Sequence, residues 1–249
     1  MSSTNYLSLV FVLIFLVLMI LFRFLGRKKP VFPLRVISAF SKLAKTIGIS
    51  VESGKRIHIS LGRGSIYGEQ TAVGIVGLSV LERIAQVTTI SDHPPIATSG
   101  DGTFSILSQD TLKGSYRAIG APGQYDPSSG RLIGATPFSY AVGAVPVIYD
   151  EQSSIDILLG HFGNEIALII DASERNGNTS LAGSDNLTAQ SILCATAEEP
   201  LIGEEIFAAG AYVKSGPMHV ASLHAQDVMR WILVTAMIVG AILKFVGVI

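Results

Sequence analysis

A single cysteine, Cys194, is all the thiol chemistry the chain contains, so no internal disulfide is available and a Cys-based metal cage is excluded. It stands in an apolar run with Ile192, Leu193 and Ala195, where a thiol is expected to serve as a small core hydrophobe. Charge is also scarce: 15% of the 249 residues are Asp, Glu, Lys or Arg, with a formal net charge of -1. A basic field that would hold a nucleic-acid backbone by counterion release is therefore missing, and no nucleic-acid partner is expected. The histidines His58, His93, His161, His219 and His224 form no H-E-x-x-H pattern, which argues against a zinc site and leaves the metal assignment empty. There is no G-x-S-x-G of a hydrolase, no Walker loop and no tandem repeat. No catalytic residue and no cofactor follow from these motifs.

What is present is apolar. Hydrophobic residues make up 49% of the sequence, and the mean hydropathy of +0.49 is high for a water-soluble protein. Residues 6–25 form an apolar stretch whose charges, Arg23, Arg27, Lys28 and Lys29, come late or after it. A cleaved signal peptide places its positive charges first, so a transmembrane helix is the expectation, preceded by a short tail at residues 1–5. The cation cluster on its far side predicts that the amino terminus lies outside and that the following segment is cytoplasmic. A second span is expected at residues 229–249, with Trp231 at the headgroup level and Lys244 snorkelling near its end, which returns the carboxyl terminus outward. Residues 26–49 read as a basic juxtamembrane segment. There Val36, Phe40, Leu43 and Ile47 recur at helical spacing, as in an amphipathic helix on the bilayer or against the domain.

Residues 50–215 predict one soluble α/β domain, Rossmann-like and layered, flanked by the two transmembrane helices. Residues 56–61 alternate like a half-buried strand and end in Gly62, Arg63, Gly64 and Ser65. A closely packed helix over 72–87, a strand at 95–98 and a helix from about Thr103 to Gly120 follow. Residues 125–131 have turn chemistry, whereas 137–148 are apolar but broken by Gly143 and Pro146, so either a buried helix or irregular packing suits them. Two neighbouring strands are expected at 155–159 and 166–170, then a helix capped around Ser184 and Asn186, and another over 204–212.

In open α/β sheets ligands lie beyond the carboxyl ends of the strands, so the loops there carry the candidate ligand-binding residues. Gly62, Arg63, Gly64 and Ser65 would let backbone N–H groups and one guanidinium approach an anion, although a plain tight turn is the commoner reason for glycines there. Ser99 and Asp101 stand behind the second strand, where helix capping is the alternative. Asp171 follows the strand expected at 166–170, where a carboxylate would hold a ribose hydroxyl or a metal; acidic residues also simply solvate loops. Glu198, Glu199, Glu204 and Glu205 read as a solvated acidic face. Asn178 and Asn186 each begin a glycosylation pattern that a cytoplasmic domain never presents to the modifying enzymes.

Seven strings, GKRIHISLGRG at 54–64, LSVLER at 78–83, PIATSGD at 95–101, QDTL at 109–112, QYDP at 124–127, EPLIGEE at 199–205 and AQDV at 225–228, carry a further likeness. On them the chain resembles a family of uncharacterised prokaryotic membrane proteins, of the kind found in Chloroflexi, built on a domain of unknown function. The resemblance implies the architecture above and transfers no catalytic residue. With no catalytic constellation, the expected function is a membrane-anchored, self-associating scaffold or complex subunit whose partners are the lipid bilayer and other copies or subunits. The alternative is a sensor or enzyme binding a nucleotide-like or other anionic metabolite.

Overall fold

The computed structural model describes residues 3–26, 34–68, 70–91 and 93–245. The basic cluster at Arg27, Lys28 and Lys29 and the last four residues lie outside the described residues. Two compact units divide the chain, one formed by Met1–Arg35 with Gly216–Ile249, the other by Val36–Ser215.

The first unit is a pair of long helices, α1 (Ser3–Leu25) and α9 (Pro217–Phe245). They pack through Phe22, Ala221 and Ala225, joined by Phe15, Leu18, Met19 and Val228. Helix α9 begins well before Trp231, because its first half has residues to bury: Ala221, His224, Ala225 and Met229 recur on one face. From Trp231 onward its large hydrophobic side chains are exposed, apart from the half-buried Leu243. Both helices are long and apolar enough to cross a membrane by length and composition.

The second unit is built on six parallel strands. They are β1 (Arg56–Gly62), β2 (Ile96–Ser99), β3 (Gly130–Leu132), β4 (Ser153–His161), β5 (Thr179–Gly183) and β6 (Glu199–Leu201), in the order β3-β2-β1-β4-β5-β6 with every pairing parallel. Helices α2 (Ser38–Glu52), α3 (Thr71–Val87), α4 (Gly102–Ala118) and α8 (Glu205–Tyr212) cover one face. There Ile57, Ile59 and Leu61 of β1 and Ile155, Ile157 and Leu159 of β4 meet Phe40, Leu43, Val80, Leu81, Ile84 and Phe104. Helices α5 (Pro137–Asp150), α6 (Ile166–Arg175) and α7 (Leu187–Thr196) cover the other face, packing Tyr140, Ile148, Phe162, Ile166, Ile169 and Leu193 over Leu158 and Ala182. Helix α2 therefore spends its apolar stripe on the domain.

Residues 56–61 alternate in polarity, yet β1 is buried on both sides, as the centre of a parallel sheet must be. Its polar face is hydrogen-bonded instead of wet. His58 sits beside Asp156 in register, and its Nδ1 lies 3.0 Å from Asp156 Oδ1 while its Nε2 lies 2.8 Å from Thr98 Oγ1. The Asp156 carboxylate also accepts from Ser153 and Ser173 hydroxyls and from the Asn178 amide. Tyr140 OH lies 2.6 Å from Ser60 Oγ and 3.3 Å from Thr98 Oγ1, which extends the chain across β1 and β2.

Several expectations change. Residues 166–170 are the start of α6, not a strand: Ile166, Ile169 and Ile170 are buried at helical spacing while Leu168 is exposed, and a five-residue apolar run does not reveal its period. Residues 137–148 form a helix despite Pro146, started by a Thr136–Ser139 capping box and Pro137. The turn-like residues 125–131 end in the edge strand β3. Glu199 belongs to β6, is buried, and pairs with Lys42, so it leaves the solvated acidic face. Asn178 is nearly buried, its amide held by Ser153 and Asp156. Cys194 is exposed, because α7 turns Ala189 and Leu193 inward and the next position points out.

Candidate functional site

In the order β3-β2-β1-β4-β5-β6, β1 is followed by α3 on one face of the sheet and β4 by α6 on the other. The chain thus leaves the two adjacent central strands in opposite directions and opens a crevice beyond their carboxyl ends. The backbones there are very close. Gly62, at φ +68°, has room for no Cβ, which would lie 2.5 Å from the His161 carbonyl oxygen. At Gly160 an added Cβ would lie 2.1 Å from the Leu61 carbonyl oxygen. Two glycines thereby bring the loops after β1 and β4 into direct hydrogen bonding, Arg63 N–H donating to His161 O at 2.9 Å.

Four of the seven residues singled out from the sequence, Gly62, Arg63, Gly64 and Ser65, lie in this loop. Arg63 is not a free cation. Its Nε donates to Glu165 Oε1 at 2.8 Å, and Glu165 is 2% exposed. Burial alone would raise the Glu165 pKa, but the Gly163 N–H and the Arg63 guanidinium outweigh it and hold the carboxyl below its ordinary range. Gly64 lies against Gln70 and the His161 side chain. Ser65 Oγ accepts from Tyr67 N–H, and the Ser65 carbonyl accepts from Thr71 Oγ1. Gly100 N–H donates to Gly62 O at 2.8 Å, which brings in the loop after β2. Within that loop, Asp101 caps α4 by accepting from Thr103 and Phe104 N–H groups, and Ser99 Oγ accepts from Asp101 N–H. Asp171 stands in the middle of α6, exposed and paired with Arg175 four residues on. It is not at a strand end, so the placement that motivated it as a ribose or metal ligand is corrected.

The crevice contains residues that motif reading passed over. A cavity of about 590 Å³ is lined by Tyr67, Gly68, Gln70, His161, Asp185, Asn186 and Leu187. His161 ends β4 and Asp185 follows β5, the neighbouring strand, and their Nδ1 and Oδ1 atoms lie 2.7 Å apart. The geometry makes Nδ1 the donor to the carboxylate and leaves Nε2 with its lone pair in the neutral tautomer. Both side chains are about one-fifth exposed, so the pair is accessible from the cavity. The signal for His161 lay in its position just beyond the strongest β-type run in the sequence. It was obscured because residues 166–170 resemble a second strand, which turns residues 160–164 into a mere connector.

Among the described residues no group of three or more His, Cys, Asp or Glu side chains has the arrangement of a metal site. Replacing Arg63 by Ala leaves the Glu165 carboxylate buried without its cation, and a loss of about 2 kcal/mol in unfolding free energy is expected. Urea titration of the purified protein in mild detergent measures it. Since the folded Glu165 pKa is depressed, its contribution is present above the ordinary carboxylate range and disappears as pH falls through the folded value. The Arg63→Ala deficit is therefore expected to shrink in acid.

Residues 1–249 match the family described as Domain of unknown function (DUF6754). The chain belongs to that family. The match covers the helical pair as well as the α/β unit, so both are parts of what the family's sequences encode. No curated protein and no solved structure matches the chain.

Proposed function

We propose that the protein is a membrane-anchored binding protein for a small polar metabolite, held in the crevice between the carboxyl ends of β1, β4 and β5. The carrying observation is the cavity of about 590 Å³ at the switch point of the sheet, lined by His161 and Asp185. The strand order is the one dinucleotide-binding doubly wound sheets use, and such sheets bind ligands at this position. The lining favours an uncharged ligand over the anionic metabolite the sequence suggests. Arg63 is matched by Glu165, and the described lining residues include one carboxylate and no Lys or Arg. Helices α1 and α9 serve as the membrane anchors in this reading, with the α/β domain cytoplasmic and both termini outside a prokaryotic cell membrane, as the charge pattern around the first apolar stretch predicts.

Thermal unfolding of the full chain in mild detergent against separate panels of neutral sugars, nucleosides, amino acids and their phosphorylated counterparts tests the ligand. A binder present at one hundred times its Kd raises the unfolding free energy by about 2.7 kcal/mol. Stabilisation by an uncharged compound, lost in Leu187→Trp, which fills the cavity mouth, is the expected result. Silence across the panels, or a shift that Leu187→Trp does not affect, overturns it. Release by alkaline carbonate, or digestion of the α/β domain by protease added to intact cells, overturns the anchoring and its orientation.

A non-catalytic, self-associating scaffold is the second reading, supported by the exposed apolar half of α9, in which Ala236, Gly240 and Ala241 allow close helix approach in lipid. A strictly monomeric particle without co-purifying partners, by light scattering in detergent, counts against it.

A further inference from the structure

We propose that His161 and Asp185 form an acid–base dyad, with His161 Nε2 accepting the proton of a hydroxyl group, either on an uncharged polyhydroxylated ligand or on water held beside it. It rests on the crevice being a ligand site, and it deepens that reading from binding to proton transfer.

Three features of the geometry support it. The Nδ1–Oδ1 distance of 2.7 Å is that of a charge-assisted hydrogen bond, which fixes the tautomer and orients the ring. Nε2 makes no hydrogen bond among the described residues, and the imidazole lines the cavity. His161 is also placed on a rigid element, since it ends β4, which pairs with both β1 and β5 in the middle of the sheet, and Asp185 follows β5 by two residues; a strand-mounted side chain keeps its alignment without the ligand. The other dyad-like pair, His58 with Asp156, has both ring nitrogens engaged and no exposure, which fits a structural role.

In the step itself the ligand or water O–H bond breaks, an Nε2–H bond forms, and the O–H electron pair remains on oxygen. Asp185 stabilises the imidazolium as an anion and does not take the proton. The imidazolium returns the proton to that same oxygen, so the exchange is reversible, its atoms and charge balance, and no oxidant or reductant enters. Among the described residues, the charged groups around the ring are Asp185 from the loop after β5 and, on the adjoining loops, Arg63 with Glu165, which neutralise each other. An approaching anion therefore meets the Asp185 carboxylate without a compensating cation, whereas the Gln70 and Asn186 amides and the Tyr67 hydroxyl offer hydrogen bonds to a neutral, hydroxyl-bearing molecule.

The test uses diethyl pyrocarbonate as the probe on the full chain in mild detergent, with peptide mass mapping of His161 against the exposed His93 over a pH series. An imidazole reacts only when unprotonated, and a carboxylate partner raises its basicity. His161, oriented by the Asp185 carboxylate, is expected to react faster than His93 at alkaline pH. Asp185→Asn should slow it to the His93 rate, while Asp185→Glu restores the rate. Equal reactivity of His161 and His93, or an Asp185→Asn rate unchanged from wild type, overturns the dyad. If Asp185→Asn proves unfolded by circular dichroism, the wild-type comparison of His161 with His93 still decides. Because the probe needs no ligand, a failed metabolite screen would sink the binding proposal alone, and a failed probe experiment the dyad alone.

Discussion

Asp156→Ala is expected to cost about 3–5 kcal/mol of stability, the range for removing one partner of a buried, hydrogen-bonded ion pair. The carboxylate is 0% exposed and receives His58, Ser153, Ser173 and Asn178. Its deletion therefore strands several buried polar groups at once, each with its own desolvation cost. Urea or thermal unfolding in detergent measures the loss. Replacing both members of the central pair, Asp156→Leu with His58→Phe, should recover much of it, since an apolar pair of similar volume avoids the desolvation of both. A double variant no better than Asp156→Ala would show that the wider network, and not the pair, dominates. Burial alone would raise the Asp156 pKa, but the hydrogen bond and charge of His58 and the Ser173 and Asn178 donors together hold it below the ordinary aspartate value. Its contribution is thus complete above that ordinary value and lost as pH falls through the depressed folded one. The wild-type advantage over Asp156→Ala should narrow below about pH 4.

Gly160→Ala is expected to cost about 3 kcal/mol or more by forcing apart the two central strands. The added methyl would approach Leu61 O to 2.1 Å and Leu61 C to 2.3 Å, and these are backbone atoms that no rotamer change removes. Gly62→Ala meets the same junction from the other side, at 2.5 Å from His161 O, with a left-handed φ as an added strain. Both variants should lower the yield of folded protein and its unfolding midpoint. By contrast Gly102→Ala, whose Cβ meets nothing within 4 Å, serves as the tolerant control. Equal stability of Gly160→Ala and Gly102→Ala would show that β1 and β4 do not approach so closely.

The sequence made the first half of the domain legible and the second half less so. Strand β1, helix α3, strand β2 and helix α4 declare themselves through alternation, a long apolar repeat, and Asp101 and Gly120 at the two ends of α4. Strands β3 and β6 are three residues long, too short for a period of two to show, and Glu199 within β6 looks solvated until its partner Lys42, distant in sequence, is seen. The loop after β1 was recognised from its glycines. Its electrostatics were not, because Glu165 lies 102 positions from Arg63 and only the fold makes them neighbours. The same holds for His161 and Asp185, which no spacing rule joins: they meet because β4 and β5 are adjacent.

The outward placement of Cys194 gives the molecule a built-in reporter position. It is the only thiol in the chain, so a maleimide dye or nitroxide attaches at one place without any change to the sequence. Helix α7 starts at Leu187 on the rim of the cavity, and seven residues of helical rise put the label about 10 Å further along the same rigid rod. Spectroscopy of the labelled protein, its sequence unaltered, can thus follow in native lipid whatever enters the crevice.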